Sequence, residues 1–367
     1  MWFNRIFLFS GALLLGGCME LPQRNSHVDA ALPLPAPVAM PRLQPVVRPP
    51  LPAVAVPSAP VRVVAPVVAQ PAKIPPSPRV AAGDSGFRQN MALQIFLDRH
   101  NFSGGCIDGI VGFRTRQAIR GWQAHQGLLV TGVADAALRE SAGPLDSGLT
   151  TYVVAEADHA DLVEIPGSWQ GKSELPYLGY ETILEYVAEK YHASQAAIRR
   201  LNPDALWPNP PAGTLLAVPN PFPPDRNVAD HVRISLGEKS IRVMDAQGKP
   251  VAVFPCSIAQ REEKRLTGDF AVANVAVNPD YTFDPAVFVE VPEARAMQGK
   301  RIIAPGPNNP VGVAWISLNR PGFGMHGTPH PEDIGKTESH GCFRLSNWNA
   351  RKLAGMVAIG MPVKIEP

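Results

Sequence analysis

The residues best suited to chemistry lie near the end of the chain, in Ser339-His340-Gly341-Cys342-Phe343-Arg344-Leu345. A cysteine is a nucleophile as its thiolate, and a neighbouring imidazole or cation supplies that form. His340 lies two residues before Cys342, Arg344 two after, and a second histidine, His326, sixteen before, in Met325-His326-Gly327-Thr328. Gly341 has no Cβ, so the backbone there can approach a bound carbonyl and turn its amides toward a developing oxyanion. Two other readings use the same residue types. One is a buried structural cysteine beside turn histidines. The other is a zinc site drawn from His326, His330, His340 and Cys342, for which three protein ligands suffice. The combined spacing favours the nucleophile over both.

That spacing resembles the YkuD-type catalytic domain of the L,D-transpeptidases of bacterial cell-wall assembly. Their signature is a histidine, a gap, then Ser/Thr-His-Gly-Cys, a hydrophobic residue and Arg or Asn. His326, Ser339, His340, Gly341, Cys342, Phe343 and Arg344 match it, and Pro305-Gly306-Pro307-Asn308-Asn309-Pro310-Val311-Gly312 is similar to the family's approach to the site. The resemblance implies a mostly β catalytic domain, a β-sandwich over residues 230–367. It also implies acyl transfer without a cofactor or metal. Cys342 would attack the carbonyl between the third residue of a peptidoglycan stem and D-alanine, with His326 as general base, oriented by the carbonyl of Gly327. His340 would lie near the oxyanion or steer substrate, with the amides around Gly341 holding that oxyanion. Arg344, Ser339 and Thr328 fall on the substrate side; Arg344 would lower the thiol pKa, hold a stem carboxylate or form a structural ion pair, and Ser339 would fix the turn. The thioester would pass to a diaminopimelate amine, a protein lysine or water.

The chain has 367 residues, enough for several domains, and a net charge of +2, which leaves no nucleic-acid footprint. None of the four cysteines forms a CxxC pair. Ile6 to Leu15 is apolar but too short to span a bilayer, and it runs into Leu14-Leu15-Gly16-Gly17-Cys18. This resembles a lipoprotein signal over residues 1–17 with Cys18 as the lipidated residue. It implies a membrane partner and a site on the periplasmic side of the envelope, and Met19 after the cysteine points toward the outer membrane. Residues 18–83 are rich in Pro, Ala and Val and favour an extended tether that buries no core.

Three modules must then position the chemistry. Over residues 84–142, Met91 to Leu97 reads as an amphipathic helix. Thr115, Ile119 and Trp122 mark one face of a second helix, closed by Gly127. With Asp108-Gly109 between them, the pattern resembles the small three-helix peptidoglycan-binding domain 1. Residues 150–221 read strand, helix, helix, strand, an α+β order similar to LysM, which implies glycan binding. The segment containing Ile165-Pro166-Gly167 and Leu175-Pro176 departs from that family, so a purely structural module stays open. From His231 the period changes to two, with strands at Val232–Ile234, Ile241–Val243 and Val251–Val253. Asn347 to Val357 reads as a helix, and Pro362 to Ile365 as a closing strand. Cys106 and Cys256 read as core fillers, with a disulfide between them allowed but not required.

Overall fold

Helix α1 (Ser85–Arg99) buries two faces, not the single face its apolar pattern suggests. Phe87, Met91 and Ile95 enter one core, while Leu93 and Leu97 enter another with Phe102, Ile119 and Trp122. This computed structural model describes residues 85–222, 224, 227–288, 291–337, 339 and 341–367. The leader, Cys18, the tether and His340 lie outside the described residues. Among the described residues no helix is long and apolar enough to cross a membrane.

Helix α2 (Phe113–Gln126) stops where Gly127 turns left-handed at φ 70°, a conformation glycine takes without a Cβ clash. Helix α3 (Ala136–Ala142) is capped by Asp135, whose carboxylate accepts the Leu138 amide at 2.9 Å. The middle segment opens with β1 (Leu149–Val153), then two short helices, α4 (Glu156–Ala160) and α5 (Trp169–Glu174). Helices α6 (Ile183–Lys190) and α7 (Gln195–Leu201) follow, N-capped by Thr182 and Ser194. Strand β2 (Leu215–Pro219) returns antiparallel to β1. Four helices rather than the expected two separate β1 from β2; α4 and α5 are the additional ones, over the segment that departs from the LysM pattern. Ile183, Leu184, Val187, Ile198 and Leu201 pack with Leu216 and Val218 against the first face of α1.

The remainder is a β domain: β3 (His231–Ser235), β4 (Ser240–Met244), β5 (Pro250–Pro255), β6 (Gly268–Val277), β7 (Tyr281–Phe283), α8 (Pro292–Ala296), β8 (Arg301–Ile303), β9 (Ala314–Leu318), β10 (Gly324–His326), β11 (Phe343–Arg344), α9 (Asn347–Met356) and β12 (Pro362–Glu366). Eight strands run in the order β11-β10-β9-β6-β12-β3-β4-β5, while β7 and β8 form a separate two-stranded flap. Long β6 serves both halves, pairing β12 through Gly268–Ala271 and β9 through Val272–Val277, with a register break between Val272 and Asn274. The sheet folds over its core there. Its ends meet where Ser257 and Arg344 exchange backbone hydrogen bonds of 2.9 and 3.1 Å. Ile234, Ile241, Phe254, Ile316 and Ile365 fill the interior with Leu353 of α9.

The helical module covers the free edge of β5. Ser103 N–H donates to Val253 O at 2.8 Å, and Val253 N–H to Asn101 O at 3.0 Å. An edge strand left bare would invite aggregation. The three modules meet at a buried charge cluster: Asp98 of α1 accepts from Lys352 of α9 at 2.8 Å and contacts His192 at 2.7 Å. Burial alone would raise the Asp98 carboxyl, but Lys352 and His192 outweigh it and hold it well below the carboxylate range. Cys106 and Cys256 are both free and buried, and burial pushes each thiol up to about 12.

Candidate active site

Register sets the site. Trp315 of β9 stands opposite His326 of β10, and His326 opposite Arg344 of β11. The Trp315 and His326 rings stack with centroids 5.5 Å apart. His326 and Arg344, opposite one another on parallel strands, share a face, and Cys342 lies one residue before β11.

His326 is buried, and its Nδ1 is bonded to Gly327 O at 2.6 Å. A carbonyl only accepts, so Nδ1 carries the hydrogen and Nε2 keeps its lone pair. Burial pushes the imidazole down to about 4; the Gly327 bond opposes that and the Arg344 charge adds to it. The ring is therefore neutral near pH 7, with a basic nitrogen to spare.

Cys342 is half-buried, and its thiol donates to Gly322 O at 3.4 Å. Burial pushes the thiol up, partly offset by the Gly324 amide that faces the sulfur. Both the thiol and the imidazole are therefore neutral in the resting protein. That differs from a thiolate prepared in advance by a cation, because desolvation outweighs what the neighbours supply.

The other expected residues take distinct places. Ser339 is buried, donates to Cys342 O at 2.5 Å and accepts the Gly341 amide at 3.2 Å, so it fixes the turn around the nucleophile. The Gly341 amide is thereby engaged in the resting site. Thr328 is buried, and its hydroxyl accepts the His330 amide at 3.3 Å, which makes it a turn residue with its side chain away from open space. Arg344 is half-buried and donates from Nη2 to Thr337 Oγ1 at 3.2 Å. His340 is outside the described residues. Among the described residues no group of three or more His, Cys, Asp or Glu is placed to hold a metal ion.

Sequence reasoning missed several residues. Tyr281, on the flap, is pushed up to about 12 by burial and, second, by the charge of a Cys342 thiolate, so its hydroxyl stays protonated. Helix α5 of the middle module holds that flap. Trp169 stacks on Phe283 with centroids 4.0 Å apart, and the amides of Trp169 and Gln170 donate to Glu293 at 2.9 and 3.1 Å. Arg301 Nε donates to Gln170 Oε1 at 2.7 Å. The segment that breaks the LysM pattern is thus the one packed on the catalytic flap. The loop leading to Ser339 is also held from outside: Arg114 of α2 donates to Ile334 O, and the Gln195 amide to Glu332 at 2.8 Å.

The cysteine just before β11 and the carbonyl-oriented histidine of β10 thus stand on neighbouring strands. Residues 229–365 match the YkuD family, the L,D-transpeptidase catalytic domain, and residues 90–141 match the putative peptidoglycan binding domain. The chain carries a YkuD-type L,D-transpeptidase catalytic domain behind a peptidoglycan-binding domain. It is similar to the putative L,D-transpeptidase YkuD of Bacillus subtilis (strain 168), 26% identical over 182 residues, spanning 50% of this chain and 92% of that protein. The probable L,D-transpeptidase YbiS of Escherichia coli (strain K12) is 26% identical over 182 residues, 49% of this chain and 59% of that one. Among solved structures, the L,D-transpeptidase (residues 123-326) from Xylanimonas cellulosilytica DSM 15894 aligns with 76% of this chain and 92% of that chain, at 16% identity and a TM-score of 0.31.

Proposed function

We propose that this chain is a cysteine-dependent L,D-transpeptidase acting on peptidoglycan stem peptides. The observation that carries the reading is the 2.6 Å bond from His326 Nδ1 to Gly327 O, which leaves Nε2 as a base beside the strand end that bears Cys342. A backbone carbonyl here does the orienting that a carboxylate does in other triads.

Cys342 Sγ attacks the carbonyl between the third stem residue and D-alanine while Nε2 of His326 takes the thiol proton. Collapse of the tetrahedral intermediate breaks the peptide bond, and Nε2–H passes its proton to the departing D-alanine amine. The thioester is then attacked by an acceptor amine, which gives up its proton to Nε2, and the departing thiolate takes that proton back to regenerate the thiol. Tyr281, held protonated by burial, supplies a donor on the flap side of the sulfur. Positioned proton transfer of this kind contributes about 10²- to 10⁴-fold.

The helical module and the LysM-like segment would hold the domain on peptidoglycan. Lipidation at Cys18 and the Pro-rich tether would hold the chain on the periplasmic side of the envelope, within reach of the wall. Incubation with a disaccharide-tetrapeptide and an amine acceptor, read by product mass, tests the reaction. A dimer or amine adduct with release of D-alanine supports transfer; a tripeptide alone makes the enzyme a carboxypeptidase. A product set unchanged by Cys342→Ala would sink the cysteine mechanism.

A further inference from the structure

The Gly327 carbonyl fixes His326, and other groups fix Gly327. Its amide donates to Ala314 O at 3.1 Å. Its Cα side is closed: a Cβ on Gly327 would come within 2.3 Å of Asn347 Oδ1, and one on Gly312 within 1.9 Å of the same atom. Asn347, the first residue of α9, is fully buried and wedged against both glycine backbones. Its Oδ1 accepts the Val313 amide at 3.2 Å. Its Nδ2 donates to Pro307 O at 3.0 Å and to the two carboxylate oxygens of Glu189 at 3.1 and 2.9 Å. Glu189 lies on α6 of the middle module and also accepts the Tyr180 hydroxyl at 3.0 Å.

We propose that Glu189 is a positioning residue of the catalytic site, supplied by the middle module and acting through Asn347 on the Gly327 carbonyl that orients His326. This rests on the reading of His326 as the base. An ionised Glu189 accepts from both Asn347 and Tyr180. Once protonated, one of its oxygens becomes a donor that the Tyr180 hydroxyl can turn to accept, and the bonds from Asn347 lose their charge assistance. Burial pushes Glu189 up to about 7; Asn347 and Tyr180 pull it down, Glu185 pushes it up and Arg351 pulls it down. Lys190, His192 and Lys352 line the cavity of about 420 Å³ beside it, the last two committed to Asp98. On its other side the loop before the nucleophile brings His330, Glu332 and Asp333. The switch in Asn347's partner therefore falls near neutral pH, where His326 itself does not titrate.

The test measures the pH dependence of Cys342 alkylation by iodoacetamide in the full chain, located by peptide mass so that Cys106 and Cys256 do not contribute. The wild type is expected to show an inflection near pH 7. Glu189→Gln keeps the volume and removes the carboxylate. It should lose the inflection and react about tenfold to a hundredfold more slowly at pH 8, the scale of a misplaced catalytic group. Asn347→Ala should do the same, and Glu189→Asp should recover the inflection. Tyr180→Phe removes a bond that favours the carboxylate and should move the inflection above 7, which keeps the test alive if Glu189→Gln does not fold. Variants that only melt at lower temperature while keeping the wild-type profile would reduce Glu189 to a structural contact and overturn the proposal. If His326→Ala also keeps the wild-type profile, the base assignment itself fails; if His326→Ala is slow but Glu189→Gln is not, only the present inference fails.

Discussion

His326 and Gly327 are adjacent in sequence, yet the side chain of the first folds back to bond the carbonyl of the second at 2.6 Å. This contact spends the donor of the ring and leaves Nε2 with its lone pair. No acidic residue is needed to set the tautomer, and the charge opposite the imidazole, that of Arg344, favours its neutral form.

Acylation should therefore depend on pH in a way unlike a preformed thiolate–imidazolium pair. His326 is held at about 4 in the folded protein, below its ordinary value, so the base stays competent down to that range and is lost below it. The Cys342 thiol is pushed up by burial, so direct alkylation should still be rising above pH 9. Iodoacetamide rates from pH 4 to 10 check both limbs; a plateau reached below pH 7 would contradict them.

Replacing His326 by Ala should cost about 10²- to 10⁴-fold in acyl transfer while leaving binding of the stem peptide nearly intact. Steady-state kinetics with a stem tetrapeptide separate the two, and a rise in KM with unchanged kcat would contradict the base role.

The stability of the protein should carry the signature of Glu189. Its folded pKa of about 7 is raised above the ordinary 4.5, so its contribution is full below 4.5 and is lost as pH rises through 7. Urea unfolding of the wild type relative to Glu189→Gln should decline over that window by about 3 kcal/mol, at 1.36 kcal/mol per pKa unit. A flat difference would contradict a buried, titrating carboxyl.

Lys352→Met strips the partner from a carboxylate that is already buried. Asp98 keeps His192, but the loss should still destabilise by about 3–5 kcal/mol. Because Asp98, His192 and Lys352 come from three modules, the helical, middle and catalytic parts should lose stability together in hydrogen exchange. Loss confined to α1 would contradict a shared junction.

Trp169→Ala removes the ring stacked on Phe283 and should weaken flap packing by about 0.5–1.5 kcal/mol beyond the lost area. Proteolysis within residues 284–300 should quicken, while His326-dependent alkylation of Cys342 stays as it was. Unchanged proteolysis would detach α5 from the flap.

Much of this was legible in the residues. Period-two alternation from His231 placed β3 to β5, and Gly127 marked the end of α2 through its left-handed turn. The histidine and cysteine of the site stood out because their spacing joins two adjacent strand ends. Tyr281, Trp169 and Glu189 were not legible, for a shared reason. Trp169 and Glu189 reach the catalytic domain from the middle module, and Tyr281 reaches the site from the separate β7–β8 flap, each at long sequence separation. No local pattern announces such a contact. Asn347 read only as the start of a helix, and its fit against Gly312 and Gly327 exists only in three dimensions. The two faces of α1 were missed because an amphipathic pattern reveals apolar positions without saying how many neighbours share them.

The most direct test is the intact mass of the full chain quenched in acid during turnover of a tetrapeptide stem. The account predicts a transient adduct equal to the stem substrate less D-alanine, mapped to Cys342 and absent in Cys342→Ala. Turnover without any adduct at Cys342, or turnover retained by Cys342→Ala, would contradict it.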